Sequence, residues 1–173
     1  MAVVTSPVGP AVVHAVPTGA GYSVLLLLHV GCAVVGFGAL VVTGVQAQRA
    51  RRGPDGPGAE GVRRYFRPGV NWAGRSLYGV PLFGFGLIGA SHGAFTGGDG
   101  FVVSGLGLWA LAAVVAEAVV WPAERRIQAV VGGGWERAGS EGRFELDCRR
   151  LTWAAGALGA VFVVAFVLMI AKP

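Results

Sequence analysis

Charge is scarce in this chain. Asp, Glu, Lys and Arg make up 13% of its 173 residues, against about 25% in an ordinary soluble domain. Lysine is nearly absent, with Lys172 the sole example beside 13 arginines. The formal charge of +5 is not spread over a face that could follow a nucleic-acid backbone, because the arginines sit in two segments, and this excludes a nucleic-acid partner. Only two cysteines occur, Cys32 inside the first apolar run and Cys148 at the foot of the last, so no disulfide framework is expected and both read as thiols. No Walker loop, zincin helix, nucleophile elbow or pair of catalytic carboxylates is present. The first 20 residues lack a basic segment and the apolar run after them is too long for a signal-peptide core, so no cleaved leader is expected.

Long apolar runs are what the chain has. Hydrophobic residues reach 54%, and Gly contributes 30 positions of the kind that let membrane helices pack closely. Tyr22–Val45 carries no charge and ends in the basic segment QAQRARR. As a helix it is ~36 Å long, enough to cross a ~30 Å hydrocarbon core with tilt. Three more runs follow, and the spacing predicts an all-α polytopic membrane protein with spans at about 21–46, 76–95, 101–121 and 151–171. Residues 1–20, broken by Pro7, Pro10 and Pro17, read as an irregular tail, and residues 21–173 as one four-helix bundle. Pro68 reads as a helix start, Thr96–Gly100 as a tight turn, and Pro122 as the end of the third helix. Trp72, Trp121, Trp135 and Trp153 read as an interfacial belt.

Orientation follows from the arginines. Arg49, Arg51, Arg52, Arg63, Arg64, Arg67 and Arg75 flank the first connection. Arg125, Arg126, Arg137, Arg143, Arg149 and Arg150 flank the third. The positive-inside rule makes segments 46–75 and 122–150 cytoplasmic and puts both termini outside, in a bacterial plasma membrane. The bias toward Ala, Val, Gly and Arg points to a high-GC actinobacterial source. The loop arginines, Arg49 to Arg67 with Arg125 and Arg126, are candidate contacts for anionic lipid headgroups.

The string LLLLHVGCAVVGFGALVVTGVQAQRARR, with FRPGVNWAGRSLYGVPLFGFGLIG after it, resembles the first two helices of an uncharacterised family of small bacterial four-helix integral membrane proteins, the DUF2269 family. The likeness covers about the first 95 residues, and helices three and four match in hydropathy only. It implies fold and topology and brings no activity. A similar first-helix pattern occurs in copper-resistance membrane proteins.

His29 and His92 are the sharpest candidates for chemistry, because ionisable residues inside a membrane default to a functional reading. On antiparallel helices both fall in the outer half of the bundle. There they could ligate haem iron, or copper with Cys32, which shares the face of His29. The alternative is an imidazole hydrogen-bonded to a neighbouring carbonyl, with no cofactor at all. Arg75 and Glu117 form a candidate intramembrane ion pair, and Glu117 could instead relay protons. His29, Cys32, Gly36, Ala39 and Thr43 make one packing stripe; Arg75, Gly79, Leu82, Gly86, Gly89 and Gly93 make another. The glycines of GFGLIG (Gly84, Gly86, Gly89) imitate a dinucleotide fingerprint, but no strand precedes them and they fall mid-span.

The function expected from these features is non-catalytic: an accessory or assembly subunit of a larger membrane complex, a respiratory one among the candidates, with other membrane subunits as partners. A haem or copper protein using His29 and His92 is one alternative, and a small transporter or channel using Glu117 is another.

Overall fold

The computed structural model describes residues 19–53, 56–133 and 141–171. The proposed irregular tail (apart from Gly19 and Ala20), Trp135, Arg137 and Lys172 lie outside them. Among the described residues every regular element is helical. Helix α1 spans Ala20–Ala50, α2 Ala59–Tyr65, α3 Trp72–Arg75, α4 Gly79–Ala90, α5 Gly100–Val115, α6 Trp121–Gly133 and α7 Glu141–Ala171. Three helical stretches are long and apolar enough to cross a membrane: Ala20–Ala50, Gly100–Gly133 and Gly142–Ala171. Large apolar side chains face outward along them, with Leu27 73% and Ile170 67% exposed. Such a surface belongs against lipid.

The second expected span is broken. It opens with α3, passes through a 3-10 turn at Ser76–Tyr78, and continues as α4 only to Ala90. Residues 91–99 are turns, not the last residues of a span running to Phe95. Pro81 supplies the reason. It sits in the first turn of α4, where a missing N–H is tolerated, but it leaves the carbonyl four residues back, Leu77 O, without a helical donor. Nor does Pro68 start a helix; Asn71 does, its side-chain oxygen accepting the Gly74 N–H at 3.1 Å as the N-cap of α3.

The third helix does not stop at Pro122. Residues Ala116–Val120 form a π-helical turn in which Trp121 N–H bonds to Ala116 O, five residues back, and the chain then runs on through Pro122 to Gly133. A turn widened by one residue makes room for a proline ring that would otherwise collide with the preceding turn. The fourth helix starts ten residues before the expected Leu151, at Glu141. The two arginine-rich segments are therefore substantially helical rather than open loops.

Packing is centred on α1, which packs against both α4 and α7; α5 also packs on α7. Close approach needs small residues at the crossings. A β-carbon on Gly36 would stand 2.7 Å from the Leu77 backbone nitrogen, and one on Gly44 would collide with Ala155. The buried side chains gather toward one end of the bundle: Phe37, Leu40 and Ala47 of α1, Phe66 and Leu77, Val120 to Ile127, and Leu151 to Leu158 of α7. No residue of α4 is buried, and in α5 only Ala112 is. The bundle is tight at its arginine-rich end and open at the other.

Candidate functional site

The tight end encloses a polar knot assembled from four separate stretches of chain. Thr43 is completely buried and donates to Ala39 O, 2.8 Å away in its own helix. Its oxygen then accepts the Tyr65 hydroxyl at 2.5 Å and the Asn71 amide at 3.3 Å. The second amide hydrogen of Asn71 goes to Glu124 Oε1 at 3.2 Å. Because Asn71 Oδ1 is committed to the Gly74 N–H, the orientation of this amide is fixed, and both N–H groups point into the knot. Glu124 is only 5% exposed, so its carboxylate depends on that amide and on the nearby guanidiniums of Arg75 and Arg125. Tyr65, carried by α2 outside the candidate spans, has its phenol pKa raised above 10.0, first by burial and then by the Glu124 charge.

Beside the knot lies a second cluster. Tyr78 donates its hydroxyl to Glu117 Oε1 at 2.6 Å, and its ring packs on Trp109 and Trp121. The Arg75 guanidinium lies over the Trp121 ring, 4.8 Å from its centroid. This is a cation–π contact and replaces the expected ion pair. The two salt bridges among the described residues are Arg51–Glu145 and Arg126–Asp147, and neither joins Arg75 to Glu117. Tyr78 stands between them as the group that both act on. Arg75 Nε and Trp121 Nε1 are buried without a hydrogen-bond partner.

The histidines are not brought together. His29 Nδ1 donates to Val80 O at 2.8 Å, and its ring lies against Gly84. His92 is eight residues beyond Gly84, on an exposed turn with a left-handed backbone (φ 51°). The six residues of helix from Gly84 to Ala90 already rise ~9 Å before that turn begins, whereas two axial haem nitrogens stand ~4 Å apart on Fe–N bonds of metal–imidazole length. Cys32 Sγ faces Gly79, and its carbonyl accepts the Ser76 hydroxyl at 3.2 Å. Among the described residues no three His, Cys, Asp or Glu side chains are grouped to hold a metal. Both cysteines are free thiols.

The first-helix stripe packs inward at Gly36 and Thr43, as expected of a packing face. The α4 stripe was displaced: Gly79, Gly84 and Gly86 meet α1, while Leu82 is 68% exposed and Gly89 faces open space. Of the headgroup candidates, Arg51 and Arg126 are in salt bridges, and Arg49, Arg52, Arg63, Arg64, Arg67 and Arg125 are exposed. Sequence reasoning missed Tyr65, Asn71 and Glu124. The available signal was Glu124 itself, a carboxylate whose spacing from Trp121 and Ile127 puts it on the apolar face of an amphipathic helix. Comparison with family models, curated proteins and solved structures gives no match for this chain.

Proposed function

We propose that the chain is a non-catalytic integral membrane subunit that completes its packing against another membrane protein, an accessory or assembly role. The observation that carries this reading is the uneven core: α4 has no buried residue and α5 one, although the other end of the same bundle is closed around a polar knot. A helix face held in place but uncovered suits a partner helix, because membrane helices associate by packing rather than by escaping water. In this reading Trp72–Ala90 is a fourth crossing. Its 19 residues rise roughly 28 Å, close to the ~30 Å hydrocarbon thickness. The arginines then set both termini outside a bacterial plasma membrane. The likeness to the DUF2269 family agrees with this topology, and a respiratory complex is one assembly it would fit.

The test is a photo-reactive residue at Phe85 on α4 or Val114 on α5, activated in native membranes. A discrete protein adduct, and co-migration on a native gel, is the expected result. Adducts to lipid alone from both positions, with the chain migrating by itself, would overturn the proposal.

A second reading is favoured by one feature, the π-turn carrying Glu117 against Tyr78, since such turns recur at functional sites. It makes the chain an ion-coupled transporter. Ion flux in liposomes, abolished by Glu117→Gln, would establish it, and flux unchanged by that substitution would reject it.

A further inference from the structure

Where α6 and α7 run side by side, two cavities adjoin. The first, about 480 Å³, is lined by Arg126, Arg143, Leu146, Asp147 and Arg150. The second, about 530 Å³, is lined by Val119, Leu146, Arg149, Arg150 and Trp153. They share Leu146 and Arg150, so they form one open surface groove with a cationic end and a more apolar end. The lining repeats at helical spacing. Arg143, Leu146 and Asp147, Arg150 and Trp153 make one stripe along α7, while Val119 and Arg126, seven residues apart, face it from the α5–α6 helix.

The order along that stripe is the order of a lipid. Val119 and Trp153 lie nearer the apolar middles of their two candidate spans, and the arginines fall toward the arginine-rich ends of the same helices, the side that faces headgroups in this reading. Asp147, buried, holds Arg126 at 3.1 Å and so fixes one guanidinium at the mouth. Among the described residues Arg143 and Arg150 have neither a salt bridge nor a hydrogen-bonding partner through their side chains, and both are exposed. Three arginines against one carboxylate leave the polar end at +2. Guanidinium forks match phosphate oxygens two at a time.

We infer that this groove is a binding site for an anionic glycerophospholipid, with the phosphate between Arg126, Arg143 and Arg150 and an acyl chain along Val119, Leu146 and Trp153. It depends on α5 and α7 crossing the bilayer, and not on the accessory role proposed above.

The full chain reconstituted in phosphatidylcholine vesicles, with increasing brominated phosphatidylglycerol, tests it through quenching of tryptophan fluorescence. The site predicts saturable quenching at low mole fraction, largely lost in Trp153→Phe. Arg143→Gln with Arg150→Gln should weaken it roughly thirty-fold, at the attraction typical per surface arginine. The pair Arg49→Gln and Arg52→Gln, which removes the same charge from exposed positions elsewhere, should change it less than about three-fold. Equal loss in both double variants would reduce the effect to general surface charge and overturn the site. So would equal quenching by brominated phosphatidylcholine, or displacement by millimolar inorganic phosphate, which would mean a site for free anions. Protein extracted from the vesicles by carbonate would overturn the membrane reading with it, whereas inserted protein without lipid preference overturns this inference alone. Size-exclusion and circular dichroism profiles matching the parent verify that the variants are folded.

Discussion

Trp109 donates its indole N–H to the carbonyl of Leu77 at 3.0 Å, the same carbonyl that Pro81 cannot serve. A side chain from α5 thus repairs a defect in the helix that opens α4, tying together two elements that otherwise touch little. Removing it in Trp109→Phe leaves the carbonyl of a fully buried residue unmatched, at a cost of about 1–3 kcal/mol. Thermal unfolding in mild detergent measures this. In a Pro81→Ala background the backbone supplies its own donor, so the same substitution should cost less than half as much. Equal costs in the two backgrounds would disprove the repair.

Asn71→Ala withdraws three hydrogen bonds at once, to Gly74, Thr43 and Glu124. The expected loss is about 2–4 kcal/mol, with the buried carboxylate dominating. The double variant Asn71→Ala/Glu124→Gln should recover part of that loss, because an amide is far cheaper to bury than an unpaired charge. Unfolding midpoints of the two variants decide it.

Close approach makes the glycines of α1 unequal. Gly44→Ala, against Ala155, and Gly36→Ala, against the Leu77 backbone, should each lower stability by about 1–3 kcal/mol. Gly38 has open space where a β-carbon would go, so Gly38→Ala should be neutral or slightly stabilising through helix propensity.

Tyr65 yields a pH dependence. Its folded pKa lies above the ordinary 10.0, so at alkaline pH the unfolded chain releases its proton first. Stability from this group is full below pH 10 and falls as pH rises past it. The late-titrating part of the phenolate absorbance at 295 nm should shrink by one tyrosine in Tyr65→Phe, whose stability should fall less over the same range.

The histidine geometry predicts an oxidised and dithionite-reduced spectrum without a Soret band. His92→Ala, on an exposed turn, should leave the melting temperature unchanged, whereas His29→Ala loses the bond to Val80 and about 1 kcal/mol. A Soret band that disappears in either variant would restore the ligand reading.

Three of the four apolar runs were legible as membrane helices because length and hydropathy are local properties of the chain. So was the inward face of α1, since Gly36 and Thr43 recur at helical spacing. The knot was not legible. Tyr65 falls in the arginine-rich connection and Asn71 at the edge of the second apolar run, and Glu124 meets Asn71 across 53 residues of sequence; no periodicity encodes such a meeting. Pro122 misled for a different reason. Proline reliably breaks the i to i−4 pattern, but it does not end a helix that can widen by one residue ahead of it. Pro81 acted similarly, and the carbonyl it stranded was matched by a tryptophan whose role only the fold reveals.

The main packing partner of α1 is α7, the first helix against the last, fastened where Thr152 donates to Gly44 O across 108 residues. At the usual pace of synthesis, that interval is roughly 5 to 20 s. For most of it the surface that receives α1 does not yet exist. The crowded Gly44 face must wait, and the core closes only when the final helix arrives. A truncation that stops before α7 therefore leaves the central helix packed on α4, without its main partner.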